Sequence, residues 1–226
     1  METLEGVFAE FLEAQKKRLQ PRTYNGYRDI IELFGYYLDD YGYSSLSTED
    51  KRLLAESEGQ SFCGLFGIDK LSAGRINEFL DYFLIRKVAG SKQLMKNAGV
   101  VMRRLVRWLK ENAYIDEQGA ARMAKTVAGL KDDLPKVHEL AELLWEEAEA
   151  NPFSQFEEYE EGHFLIDKIE QGRLWLEDFY TEDRLIGPII VSKRISKAAK
   201  KGWTLGLKIG RMMDKWYIIE SGNVYP

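Results

Sequence analysis

With one cysteine and two histidines, the chain is poor in the side chains that build disulfides and most protein metal sites. Cys63 alone excludes an intramolecular disulfide and any cysteine-rich metal site. His138 and His163 would need carboxylates to complete a metal site, and no ligand spacing supports one. Long apolar runs are missing too, since none approaches the roughly 18 residues of a membrane span. The first residues, METLEGVFAEFLEAQKKRL, are amphipathic and acidic at their start, unlike a secretory signal. The expectation is a cytoplasmic chain with no membrane partner. A phosphate-cradling glycine loop and a nucleophile–base spacing are also absent. No enzyme activity, catalytic residue, metal or cofactor is therefore expected.

Nor is there an excess of positive charge: 32 Lys and Arg stand against 37 Asp and Glu, a net charge of -5. That balance argues against coating a nucleic acid by bulk charge, yet binding follows local potential, not the total. The charges are segregated along the chain. Basic against acidic residues number 17 to 16 over 1–115, 4 to 12 over 116–160 and 11 to 9 over 161–226. The acid is concentrated in the middle.

What is present is a globular composition, 45% hydrophobic and 12% aromatic over 226 residues, enough for one large domain or two small ones. One stretch organises it. In SKQLMKNAGVVMRRLVRWLKEN, Ser91 is an N-cap, and Leu94, Ala98, Val101, Met102, Leu105, Trp108 and Leu109 recur at three- and four-residue spacing. At about 100° per residue, Lys92, Lys96, Arg103, Arg107 and Lys110 fall within roughly 60° of one another, nearly opposite that stripe, and no acid shares the arc. A solvated charged face is the plain alternative. Such faces usually interleave both signs, however, and five cations in register repel one another unless an external anion offsets them.

Before it, Thr3–Leu19 predicts a helix with Leu4, Val7, Phe8, Phe11 and Leu12 inward, ending in Lys16, Lys17 and Arg18. Pro21 breaks it, and Thr23 is expected to cap a second helix with Tyr27, Ile30, Ile31, Phe34 and Leu38 inward. A short helix capped by Thr48 follows, then Phe62, Leu65, Phe66 and Ile68, which plug into the core with Cys63 buried among them. Ser72 caps AGRINEFLDYFLIRKV, and Gly90 punctuates before the organising helix.

The stretch FAEFLEAQKKRLQPRTYNGYRDIIELFGYYL, with RINEFLDYFLIRK and SKQLMKNAGVVMRRLVRWLKENAYI, resembles the N-terminal core-binding, SAM-like helical domain of tyrosine recombinases, the phage integrases. The matching positions are Thr23, Tyr27, Phe34, Phe79, Leu80, Ser91, Leu105, Trp108, Leu109 and Ile115, about half the chain being covered. The resemblance implies a four-helix domain laid against duplex DNA. Its implied phosphate contacts are Lys92, Lys96, Arg103, Arg107 and Lys110 of the fourth helix and Lys16, Lys17, Arg18, Arg22 and Arg28 around the first turn, with Arg75 a weaker one. Leu94 stands where the family commonly has Thr, and the spacer after the second helix is long. Family members continue into a catalytic domain with two arginines, a lysine, a His-x-x-Arg element and a tyrosine nucleophile. After Ile115 the chain is too short for one, and neither histidine precedes an arginine at that spacing. Recombinase activity is not expected.

Residues 116–161 read as an acidic helical connector. It has a helix over Gly119–Leu130 and a second, capped by Asp133, whose apolar face is Val137, Leu140, Ala141, Leu144, Trp145 and Ala148. From 162 the period changes to two: HFLIDKIE, RLWLED, IGPIIVS, GWTLGLKIG and KWYIIES predict five short strands, with Trp203, Leu205, Leu207 and Ile209 on one face. Between the third and fourth lie Lys193, Arg194, Lys197, Lys200 and Lys201 behind a Ser192 cap, either a solvated basic turn or a second nucleic-acid contact. Trp175, Trp203 and Trp216 are stacking platforms if exposed and core if not.

The predicted architecture is α+β: a four-helix SAM-like domain at 1–115, the connector at 116–161, and a small SH3-like or OB-like β-barrel at 162–226. The expected function is non-catalytic binding of double-stranded DNA by backbone neutralisation, with Asn97, Arg104 or Arg107 available for base contacts. The alternative is a protein-interaction module that uses the connector and barrel, with the helical domain as scaffold. A protein partner or a second copy of the chain is left open.

Overall fold

The computed structural model describes residues 2–88, 91–178 and 184–226. The chain is mixed α+β, with its helices in the N-terminal part and a five-stranded sheet at the C-terminus. It divides into two compact units, 1–132 and 133–226.

Unit 1 is helical. α1 (Leu4–Lys16), α2 (Pro21–Tyr41), α3 (Thr48–Glu56) and the single turn α4 (Phe62–Leu65) are followed by α5 (Ala73–Glu78) and α6 (Leu84–Lys87), joined through a π-helical segment, Phe79–Phe83. α7 (Lys92–Glu111) and α8 (Glu117–Leu130) complete it. Short polar side chains start these helices by accepting from an orphan amide. Thr3 takes Gly6 N, Ser72 takes Arg75 N, Ser91 takes Leu94 N and Asp116 takes Gly119 N. Two expected caps move. α3 is capped by Ser47, which accepts from Asp50 N. α2 begins at Pro21 behind Gln20, with no side-chain cap, because proline has no amide to satisfy at a helix start. The break expected at Gly90 lies outside the described residues.

The core of unit 1 is aromatic. Phe34, fully buried, lies 4.8 Å from Phe79 and 5.7 Å from Phe8, and Phe11 meets Trp108 edge-on at 5.6 Å. Phe62 and Phe66 are buried as expected, whereas Leu65 and Ile68 are only half-buried. Arg75, offered as a weak phosphate contact, is instead buried at 8% exposure. It donates to the carbonyls of Lys70 and, at 2.9 Å, Gly42, and its guanidinium lies 5.1 Å from the Phe62 ring centre. It closes a loop and faces no solvent anion.

Residues 116–161 do not form one connector. α8 packs on α7 and α5 within unit 1, where a Cβ on Gly99 would lie 2.7 Å from the Lys131 Cβ. α9 (Leu134–Glu149) belongs to unit 2 and packs on the last strand. Its buried face is Leu134, Val137, Leu140, Leu143 and Leu144. Trp145, expected on that face, is 58% exposed. It stands at one edge of the buried arc, about 20° past Leu134 on the helical projection.

The sheet of unit 2 comprises β1 (Glu158–Glu170), β2 (Arg173–Asp178), β3 (Leu185–Ile190), β4 (Thr204–Met212) and β5 (Lys215–Tyr225), with α10 (Lys193–Ala198) between β3 and β4. β1 is longer than expected, since Glu158–Glu161, read as linker, pair with β4. Strand order is β1-β2-β3-β5-β4, and β4 pairs back with β1, so every strand has two neighbours. All pairs are antiparallel except β3 with β5. Gly172, at φ +77°, supplies the left-handed residue of the β1–β2 turn. Trp203, Leu205, Leu207 and Ile209 are buried, as the alternation predicts. Trp203 and Trp216 are core residues, at 2% and 7% exposure, and offer no stacking face. Trp175 is half-buried, with the Lys168 ammonium 4.5 Å from its ring centre.

Candidate nucleic-acid interface

α7 buries Met95, Ala98, Val101, Met102, Leu105, Val106, Trp108 and Leu109, together with Gly99 against Lys131 at the end of α8. Leu94, placed on the buried stripe by its spacing, is half-exposed at one edge. The opposite side is exposed, and all five predicted cations, Lys92, Lys96, Arg103, Arg107 and Lys110, stand on it. Their electrostatic states differ. Lys96, Arg103 and Arg107 have no ion pair among the described residues, at angles of about 40°, 20° and 60° around the helix when Lys92 is taken as zero. Lys110 is held by Glu117 across the α7–α8 turn at 2.6 Å. Lys92 is engaged in an interaction of its own. Three cations in register, not five, are open to an external anion.

The first-turn cluster separates in the same way. Arg28 pairs with Asp29 at 3.2 Å and Glu32 at 3.5 Å, so it is compensated along its own helix. Lys16 lies 3.7 Å from Glu13. Arg18 donates its Nε to Oε1 of Gln15 at 2.7 Å; this glutamine is 1% exposed, and its Nε2 has no partner. Lys17 and Arg22 are exposed and without an ion pair among the described residues. Arg22 shares a groove of about 410 Å³ with Thr23 and Gly26 of α2 and Gln93, Asn97 and Val100 of α7. That groove brings the turn to the flank of the cationic strip.

Of the residues offered for base contacts, Arg104 is tied to Glu111 at 3.4 Å and its Nε is buried without a partner. Asn97 accepts from Gln93 Nε2 at 2.8 Å and faces Gly26. Arg107 alone is both exposed and unpaired among the described residues.

Sequence reasoning missed Arg122 and Lys125 of α8, exposed and without an ion pair among the described residues. The available signal was an acid-free run. From Tyr82 to Lys110 there are eight Lys and Arg and no Asp or Glu, and from Gln118 to Lys131 three more and none. Over 82–131 that makes eleven cations against Glu111, Asp116 and Glu117, a net of +8, whereas residues 1–81 carry nine cations and fifteen acids, a net of -6. Charge is polarised within unit 1, and α7 carries the positive side.

In unit 2 the second basic cluster is largely neutralised. Arg194 pairs with Glu146 at 3.3 Å, Lys200 with Asp133 at 2.6 Å and Lys201 with Asp167 at 2.9 Å, leaving Lys193 and Lys197 unpaired among the described residues. No three His, Cys, Asp or Glu side chains among the described residues are grouped to hold a metal ion. No helix among them is long and apolar enough to cross a membrane. No family model, curated protein or solved structure matches the chain.

Proposed function

We propose that unit 1 binds double-stranded DNA without catalysis, through the outer face of α7, and that it is a SAM-like core-binding domain of the kind phage integrases carry. The observation that carries this reading is the set Lys96, Arg103 and Arg107, exposed, in register and uncompensated. Like charges held together on a rigid 20-residue helix cost free energy in the unliganded protein. A phosphate backbone removes that cost and releases its own counterions. Lys17 and Arg22 extend the contact around the α1–α2 turn, and Arg107 is the best placed to reach a base edge. A cytoplasmic location belongs to the same reading. The strand order of unit 2, closed by β4 on β1, supports an OB-like over an SH3-like barrel.

A lysine-acetylation footprint tests the surface. At low salt a short mixed-sequence duplex should protect Lys96 while the exposed Lys51 and Lys215 remain labelled. Equal labelling of Lys96 with and without duplex refutes the assignment.

The protein-interaction reading has one observation in its favour. Trp145, 58% exposed, stands on α9 between Glu142 and Glu149. An exposed tryptophan beside acids suits a protein partner and repels a polyanion.

A further inference from the structure

Unit 2 holds a trough along one flank of α9 that the DNA reading leaves unused. Its α9 side is a stripe at three- and four-residue spacing, Lys136, Glu139, Leu143, Glu146 and Ala150. α10 supplies part of the opposite wall, and Leu143 and Arg194 line both of its sections. The sections differ in chemistry. The first, about 480 Å³, has a floor of Leu143, Ala198 and Trp203 and a rim of Lys136, Arg194, Lys197 and Lys200. Glu139 is the one acid lining it among the described residues. The second, about 410 Å³, is walled by Ala150, Pro152, Phe153, Ile190 and Tyr217. Its two carboxylates are already engaged, Glu146 with Arg194 and Glu147 with the Ser192 amide at 3.2 Å.

We propose that this trough docks a peptide of a partner protein that is acidic at one end and apolar or aromatic at the other. Lys136 and Lys197 have no ion pair among the described residues and would take the first carboxylates. The exposed Arg194–Glu146 pair can exchange one carboxylate for another at little cost. Apolar side chains of the peptide would cover the second section, where Phe153 is 37% exposed. Lys136 to Ala150 spans about 21 Å of helix, the reach of about six extended residues. A nucleic acid fits less well. Trp203, at 2% exposure, presents no face on which a base could stack, and a duplex has nothing apolar for the second section. The inference does not rest on DNA binding by α7.

Random peptides displayed on phage and selected on the full chain test it. Enriched sequences should carry two or more acids on one side of an apolar or aromatic pair. Their affinity should fall at least tenfold in Lys136→Glu/Lys197→Glu and in Ala150→Arg, all three being exposed positions that leave the core untouched. The variant Lys96→Glu/Arg103→Glu/Arg107→Glu should bind the same peptides unchanged, which separates this site from the α7 face. Failure to enrich any family of peptides, enrichment without acids, or equal binding by the trough variants overturns the proposal. So does a labelled oligothymidine that binds the chain and is lost in the same trough variants, which would make the surface a nucleic-acid site.

Discussion

Gly99 is the point where the packing behind the α7 face can be broken by a single methyl. A Cβ there would lie 2.7 Å from Cβ and 3.0 Å from Cα of Lys131, distances no relaxed side chain tolerates. The obstructing atoms belong to the backbone end of α8 and not to a mobile side-chain tip, so the end of α8 must move. Overpacking of this kind costs about 1–3 kcal/mol. Replacing a helical glycine by alanine contributes about 1 kcal/mol in the opposite direction. Gly99→Ala should therefore be net destabilising by up to about 2 kcal/mol. Gly129, on α8, isolates the second effect, because a methyl group added there would meet nothing within 4 Å. Gly129→Ala should stabilise unit 1 by up to about 1 kcal/mol. Urea unfolding followed by far-ultraviolet circular dichroism reads both midpoints. If Gly99→Ala stabilises as Gly129→Ala does, α8 does not pack on α7 at this point.

Other perturbations read other parts of the structure. Leu144→Ala should cost unit 2 about 2–5 kcal/mol and Trp145→Ala less than about 0.5 kcal/mol, since the first is buried and the second exposed; equal losses in thermal unfolding would reverse the facing of α9. Burial, and then the nearby Asp39, push the Cys63 thiol well above its ordinary pKa, so a thiol reagent at pH 8 should label it only after denaturation; rapid stoichiometric labelling of the native chain contradicts that burial. Asp81 is held above its ordinary value of 3.8 by desolvation, against an opposing hydrogen bond from Asn77. A carboxyl whose folded pKa is raised binds its proton more tightly in the native state, so its contribution favours folding below 3.8 and is lost as pH rises through the folded value. Asp81→Asn should accordingly raise the unfolding midpoint at pH 7, with the advantage fading toward pH 3.8, and an advantage that persists at acid pH would exclude this cause.

Local pattern made α7 legible, because its cap, apolar stripe and cationic arc all lie within 22 residues. The same holds for β4, whose alternating residues bury as expected. Partnership was not legible. α8 and α9 are both amphipathic, and no local feature says that one closes on α7 and the other on β5, since those contacts join residues far apart in sequence. The compensated cations divide along the same line. Arg28 and Glu32 share a helix face at i,i+4 and could have been paired by reading, whereas Lys110 reaches Glu117 only because the chain turns between them. Arg22 shares a groove with Gln93 and Asn97, about 70 residues away, through the packing of α2 on α7. Trp145 keeps the spacing of the apolar face, four residues after Ala141, and is nevertheless exposed, because helical period alone does not say how far the packed partner extends around the helix.

The most direct test of the central claim is the salt dependence of duplex binding, by fluorescence anisotropy, for the native chain and for Lys96→Gln/Arg103→Gln/Arg107→Gln. Three lost phosphate contacts should make the slope of log affinity against log salt shallower by about 2.7, so that the native chain loses roughly 40-fold more affinity than the variant over a fourfold rise in salt. Equal slopes, or no binding by the native chain at low salt, would contradict a phosphate-binding α7.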